Sequence, residues 1–175
     1  MISDSWTKNL ANWRWRVGEN QWDHSPGLNP QRLYQSFERL TELTKQACEG
    51  FNQHSTSQRQ IRFMAGPVEI AKDSGSFSLL LGRCDARMTL SGNTLTANIA
   101  TTERFSRSMN YSESFSAHVG NLAEISWKHS DGFLYTEELI SMLMLEALVK
   151  TWWNYQGSRL EKTKSRKEDA REYHL

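Results

Sequence analysis

The stretch from Thr136 to Gly157, TEELISMLMLEALVKTWWNYQG, limits what this chain can fold into more than any other. Thr136 is a capping residue type, and Glu137 and Glu138 stand where the positive end of a helix favours carboxylates. Leu139, Ile140, Met142, Leu143, Met144, Leu145, Ala147, Leu148, Val149, Trp152 and Trp153 then leave almost no polar side. Gly157 follows where a left-handed C-cap is expected. A helix this apolar must be buried or mostly covered. Ser141, Glu146 and Lys150 interrupt it well short of the roughly 20 apolar residues that a bilayer span needs. It is the core helix of the fold.

A sheet is the natural partner for such a helix, and the sequence supplies one. From Ile61 to Trp127 the apolar period changes from 3.6 residues to 2. Ile61 to Ile70 is strand-like, with Gly66-Pro67 demanding a bulge or an edge position. Asp73-Ser74-Gly75-Ser76 is a turn, after which Phe77, Leu79 and Leu81 alternate with smaller residues. Ala86, Met88 and Leu90 lead into Ser91-Gly92-Asn93, a hairpin signal, and Leu95, Ala97 and Ile99 lead away from it. The longest alternation follows. Phe105, Met109, Tyr111, Phe115, Ala117 and Val119 occupy odd positions, with Ser106, Ser108, Asn110, Ser112, Ser114, Ser116 and His118 between them. Such a strand is half-buried and antiparallel. Arg107 and Glu113, also at odd positions, are expected at the sheet ends, reaching water. Ala123, Ile125 and Trp127 form a last strand before the Ser130-Asp131-Gly132 turn.

Ahead of the sheet, Asn29-Pro30 opens a helix in the usual order of cap and then proline. Leu33, Phe37, Leu40, Leu43, Ala47 and Phe51 form one apolar stripe to about His54, so this helix is amphipathic. A further helix is expected over Ser3 to Val17, on the spacing of Trp6, Leu10, Trp13 and Val17, followed by a loop over Glu19 to Leu28. The expected class is therefore α+β: an antiparallel meander of five or six strands, covered on one face by the buried C-terminal helix and the amphipathic N-terminal helix. One domain spans 1–157, and 158–175 is a charged segment that frays or extends the helix.

Charge and motif content narrow the function by elimination. A formal charge of +1 provides no field to draw nucleic acid or an anionic membrane to the protein, so neither is an expected partner. The opening residues MISDSWTKNLANWRWR hold no apolar secretory core, and the expected location is cytoplasmic. Cys48 and Cys84 form no CxxC or Cys/His pattern and are expected to be reduced and buried. The histidines, 24, 54, 118, 129 and 174, show no metal-binding spacing. Asp23-His24 and His129-x-Asp131 each place a carboxylate near an imidazole, a pairing that chance produces often. Neither a nucleophile elbow nor a glycine-rich phosphate loop is present, so catalytic residues are unknown and no cofactor is implied. The arginine beside Cys84 would activate that thiol only if both faced one way, and neighbouring strand residues do not.

Two features stand out from this background. Trp13-Arg14-Trp15-Arg16 alternates aromatic and basic groups and is the candidate partner-binding segment. The row Ser112, Ser114, Ser116 and His118 is the candidate ligand-binding surface, with His118 its one group titrating near neutral pH. With seven tryptophans and no catalytic constellation, the chain points to a non-catalytic protein-interaction or oligomerisation module, with a protein partner or a second copy as its target. The alternative is a small-molecule-binding or enzymatic domain using the polar row.

Overall fold

The computed structural model describes residues 29–56, 59–69, 74–103, 106–120 and 124–172. The helix expected over Ser3 to Val17, the loop after it and the Trp13–Arg16 segment lie outside the described residues.

Helix α1, Pro30–Gln53, begins as its residues require. The Asn29 side chain accepts from the Gln31 amide at 2.9 Å, with Pro30 in the first turn. Leu33, Phe37, Leu40, Thr44 and Cys48 are buried along one side, with Phe51 half-buried beside them. At its end the Asn52 side chain clamps the next segment, donating to the Ile61 carbonyl at 2.8 Å and accepting from the Ile61 amide at 2.7 Å. The connection is thereby delivered into the sheet.

Seven antiparallel strands follow in sequence order: β1 Arg62–Glu69, β2 Ser74–Leu81, β3 Cys84–Ser91, β4 Thr94–Glu103, β5 Ser106–Val119, β6 Ile125–His129 and β7 Leu134–Tyr135. This is the expected meander in the α+β class, with one more strand than the sequence suggested. The addition is β7, whose two residues are too few to show a period. Gly82 and Gly92, at φ 60° and 56°, close the β2–β3 and β3–β4 hairpins in the left-handed conformation that glycine adopts freely. The Gly66-Pro67 irregularity sits in β1 at the sheet edge, where a proline without an N–H does least damage.

One expectation about the sheet face is corrected. Ile99 pairs with Tyr111 but Ala100 pairs with Met109, so Asn110 is an extra residue in β5. Its side chain donates to Thr101 Oγ1 and to the Ser108 carbonyl, both at 3.0 Å, which holds the bulge. Before the bulge Met109 faces outward, 58% exposed rather than packed. One added residue is enough to exchange the faces of a strand.

Helix α2, Glu137–Glu172, covers the inner face of the sheet together with α1. The Leu139 amide donates to Thr136 Oγ1 at 3.3 Å, so the predicted cap is in place. Ile140, Met144 and Leu148 enter a core shared with Phe77, Leu79, Leu81, Met88, Leu95, Ile99 and Trp127. Two further expectations fail. The helix does not stop at Gly157, which is helical and exposed, and it runs on to Glu172. Nor is α2 covered all round: Met142, Leu143 and Trp153 are 56%, 36% and 62% exposed. One sheet and one neighbouring helix can bury only one side of a cylinder.

A buried polar chain joins the layers. The Trp127 indole N–H of β6 donates to Ser36 Oγ of α1 at 3.1 Å, and the Ser36 hydroxyl donates to Glu137 Oε1 at the start of α2. Replacing Ser36 with alanine strands both the indole and the carboxylate, a cost of about 1–3 kcal/mol. Urea denaturation of Ser36→Ala should therefore show a lower midpoint at unchanged slope.

Candidate functional site

The polar row of β5 lies on the outer sheet face, the side away from the helices. Ser112, Ser114 and Ser116 are exposed and oppose Asn98, Thr96 and Thr94 of β4, while His118, half-buried, opposes Ser126 of β6. Ser112 Oγ donates to Asn98 Oδ1 at 2.8 Å. The result is a ladder of short polar side chains bonded partly to one another. A cavity of about 510 Å³ opens on the same face, but over β1 to β4, where Met64 and Leu80 meet Asp85, Arg83 and Arg87. The serine row and His118 do not line it.

On the inner face the structure gathers a group that sequence spacing does not reveal. Strand pairing places His129 opposite Phe115 and Tyr135 opposite Trp127, all on the core side at the β5–β7 end. Glu113 of β5 reaches His129 Nε2, and Asp131 Oδ2 lies 3.1 Å from His129 Nδ1. Asp131 Oδ2 also accepts from the Tyr135 hydroxyl at 2.8 Å, and its Oδ1 accepts from the Phe133 amide at 2.8 Å. Phe115 meets the His129 and Tyr135 rings with centroids 5.1 and 5.5 Å away. Glu113 was expected to reach water at a sheet end. It is instead half-buried and bound to histidine, because β6 carries His129 past it in the register that Trp127 imposes.

The electrostatics of this cluster describe a clamp. The hydrogen bond that His129 donates to Glu113 raises the histidine pKa against the opposing effect of burial, and Asp131 raises it further. Burial acts upward on Asp131, but the Phe133 amide, the Tyr135 hydroxyl and His129 outweigh it and hold the carboxyl below its ordinary value. The same hydrogen bond to Asp131 pushes Tyr135 up to about 12. Both ring nitrogens of His129 are engaged by carboxylates, so neither is free to take a proton from a substrate. What the cluster can do is hold the β6–β7 turn against β5 while the imidazole is charged.

The cysteines offer no nucleophile. Burial raises Cys48 to about 12 and Cys84 to about 11, and both are free, buried thiols that stay protonated at neutral pH. Among the described residues no group of three or more His, Cys, Asp or Glu side chains is placed to hold a metal ion. No helix among them is long and apolar enough to cross a membrane.

The remaining candidate is the outward side of α2. Its phase is set by Trp152, which packs over the β2–β3 turn: a Cβ on Gly82 would lie 3.0 Å from its indole nitrogen. Arg59 covers the Trp152 ring at 5.8 Å. With Trp152 turned inward, Trp153 turns out. Met142, Leu143 and Trp153 share this outward side with Glu146 and Lys150, which pair across one turn at 2.5 Å. No protein-family model, curated protein or solved structure matches this chain.

The histidine clamp generates a pH prediction. A folded-state pKa above the ordinary value of about 6.5 means that the native state holds the proton more tightly than the unfolded chain. Its stabilisation is complete below about 6.5 and disappears as pH rises through the folded value. The melting temperature should fall over that window, and the His129→Gln variant should lose this component of the fall. Melting curves at closely spaced pH values check it.

Proposed function

We propose that this domain is a non-catalytic, cytoplasmic protein-interaction or oligomerisation module, and that the outward side of α2 is its binding face. One observation carries the reading. Met142, Leu143 and Trp153 are exposed on the solvent side of a helix whose opposite side forms the core. Single exposed apolar residues are ordinary on any protein, but Trp153, 62% exposed, and Met142 and Leu143 about three turns before it put three large apolar groups, one of a type favoured in binding hot spots, on one side of a single helix. The face is rigid before it binds, since the inner side of the same helix is held by Ile140, Met144 and Leu148, so little ordering cost opposes association. The free thiols suit a reducing compartment. The Trp13–Arg16 segment offers a further contact for a partner.

A second reading keeps the outer sheet face as a small-ligand surface, supported by the cavity over β1 to β4. Its apolar residues and a mixed rim of Arg83, Arg87 and Asp85 suit a ligand with an apolar body and polar or charged groups, while Ser112, Ser114, Ser116 and His118 would extend it as a polar apron.

The two readings separate by site-specific cross-linking in cells. A photoreactive amino acid at position 153 should form a covalent protein adduct, whereas one at position 118 should form none. Adducts from 118 alone would overturn the assignment of the binding face.

A further inference from the structure

Resting on the interaction reading, we infer that the partner of the α2 face is a second copy of this chain, docked antiparallel about a two-fold axis. The argument is the order of residues on the outward side. Leu139, Leu143, Glu146, Lys150, Trp153 and Gly157 recur at intervals of four, three, four, three and four, the seam spacing of a coiled coil. They lie opposite the buried Ile140, Met144 and Leu148, with Leu139 half-covered at the end. The interval pattern reads the same in both directions, with its centre at Leu148. A two-fold axis through that point therefore sets Leu143 against the second copy's Trp153, Glu146 against its Lys150, and Leu139 against its Gly157.

Each of these pairs is complementary. Leu143 meets Trp153 on either side of the central charges, covering both of these exposed side chains. Acid meets base in the middle, twice. Gly157 presents no side chain and has nothing around the place a Cβ would occupy, so it leaves room for Leu139 of the other copy. The continuation of the helix through a glycine, which no local signal favours, acquires a purpose in this arrangement. A parallel pairing would instead bring Glu146 against Glu146 and Lys150 against Lys150, which like-charge repulsion opposes. An isologous contact demands a surface complementary to itself under a two-fold rotation, and this stripe meets that demand. Within one chain Glu146 and Lys150 already bond at 2.5 Å, with 58% and 71% of their side chains exposed. In the dimer the two pairs merge into a four-charge ring at the middle of the seam.

Sedimentation of the full chain at micromolar concentration tests this directly. The wild type should sediment at twice the 20.3 kDa chain mass, and Trp153→Ala should lose the dimer. Glu146→Lys and Lys150→Glu should each be monomeric, because each places like charges opposite one another across the axis. Mixing these two variants should restore a dimer containing one chain of each. The charges within each chain remain mismatched in the mixture, so this recovery reads only the contact between chains. Circular dichroism melts confirm that the exposed substitutions leave the fold in place. A monomeric wild type, a dimer indifferent to both charge changes, or a mixture that stays monomeric overturns the inference. If the chain is monomeric while position 153 still cross-links a different protein, self-pairing is wrong and the interaction reading stands. If position 153 cross-links nothing either, both fall.

Discussion

The hydroxyl of Ser36 is the point on which the layers of this protein meet. It accepts from the Trp127 indole and donates to Glu137, so one small side chain joins β6, α1 and the first turn of α2. Its surroundings are apolar and closed: Trp127 is fully buried, and Ser36 nearly so. A polar group in that position is costly unless partnered, and a displacement of either helix would leave the indole or the carboxylate unpaired. Hydrophobic burial would accept many slightly different placements of two helices on a sheet. The hydrogen-bond chain accepts far fewer, and it fixes where α2 begins.

From that anchor the rest of α2 follows. Its inner residues sit on β2 to β4, and Trp152 comes down over the Gly82 turn at the far end. The helix is thus held at both ends of the sheet, and its rotation is no longer free. Met142, Leu143 and Trp153 point outward as a consequence of this phase and not through any weakness in the core. A side fixed in place and apolar is the form a docking surface takes when it exchanges water for another protein with little rearrangement. The opposite surface of the molecule has a different character. Its short polar side chains oppose one another in a row across β4 and β5, with Ser112 bonded to Asn98, rather than converging on one point.

The sequence foretold much of this architecture, and the misses have separate causes. Period-2 alternation made β2 to β6 legible because alternate residues meet water and core. Asn29-Pro30 and Thr136 marked helix starts because capping is a local bond between side chain and backbone. The reversal of faces at Asn110 was hidden because a bulge depends on pairing with β4, and nothing within β5 announces it. Whether α2 would pass through Gly157 into the charged 158–175 segment was undecided in the sequence for a related reason. Glycine only permits a left-handed cap; whether the backbone takes one depends on what lies beyond. The histidine clamp escaped because Glu113 and His129 are 16 residues apart in sequence and meet only when β5 and β6 pair. A carboxylate near a histidine in sequence is common, and the second carboxylate that gives this one its character comes from another strand.

By itself the sequence determined the class of the fold, the order of its elements and which residues must leave water. Those follow from short-range periodicity and from the free energy of burying apolar surface, and both are properties of local sequence. Only the tertiary structure decided which side of the apolar helix stays uncovered. The eleven apolar residues from Leu139 to Trp153 ask for more cover than one sheet and one neighbour provide. The geometry of packing, set by Ser36 at one end and Trp152 at the other, selects Met142, Leu143 and Trp153 as the part left exposed.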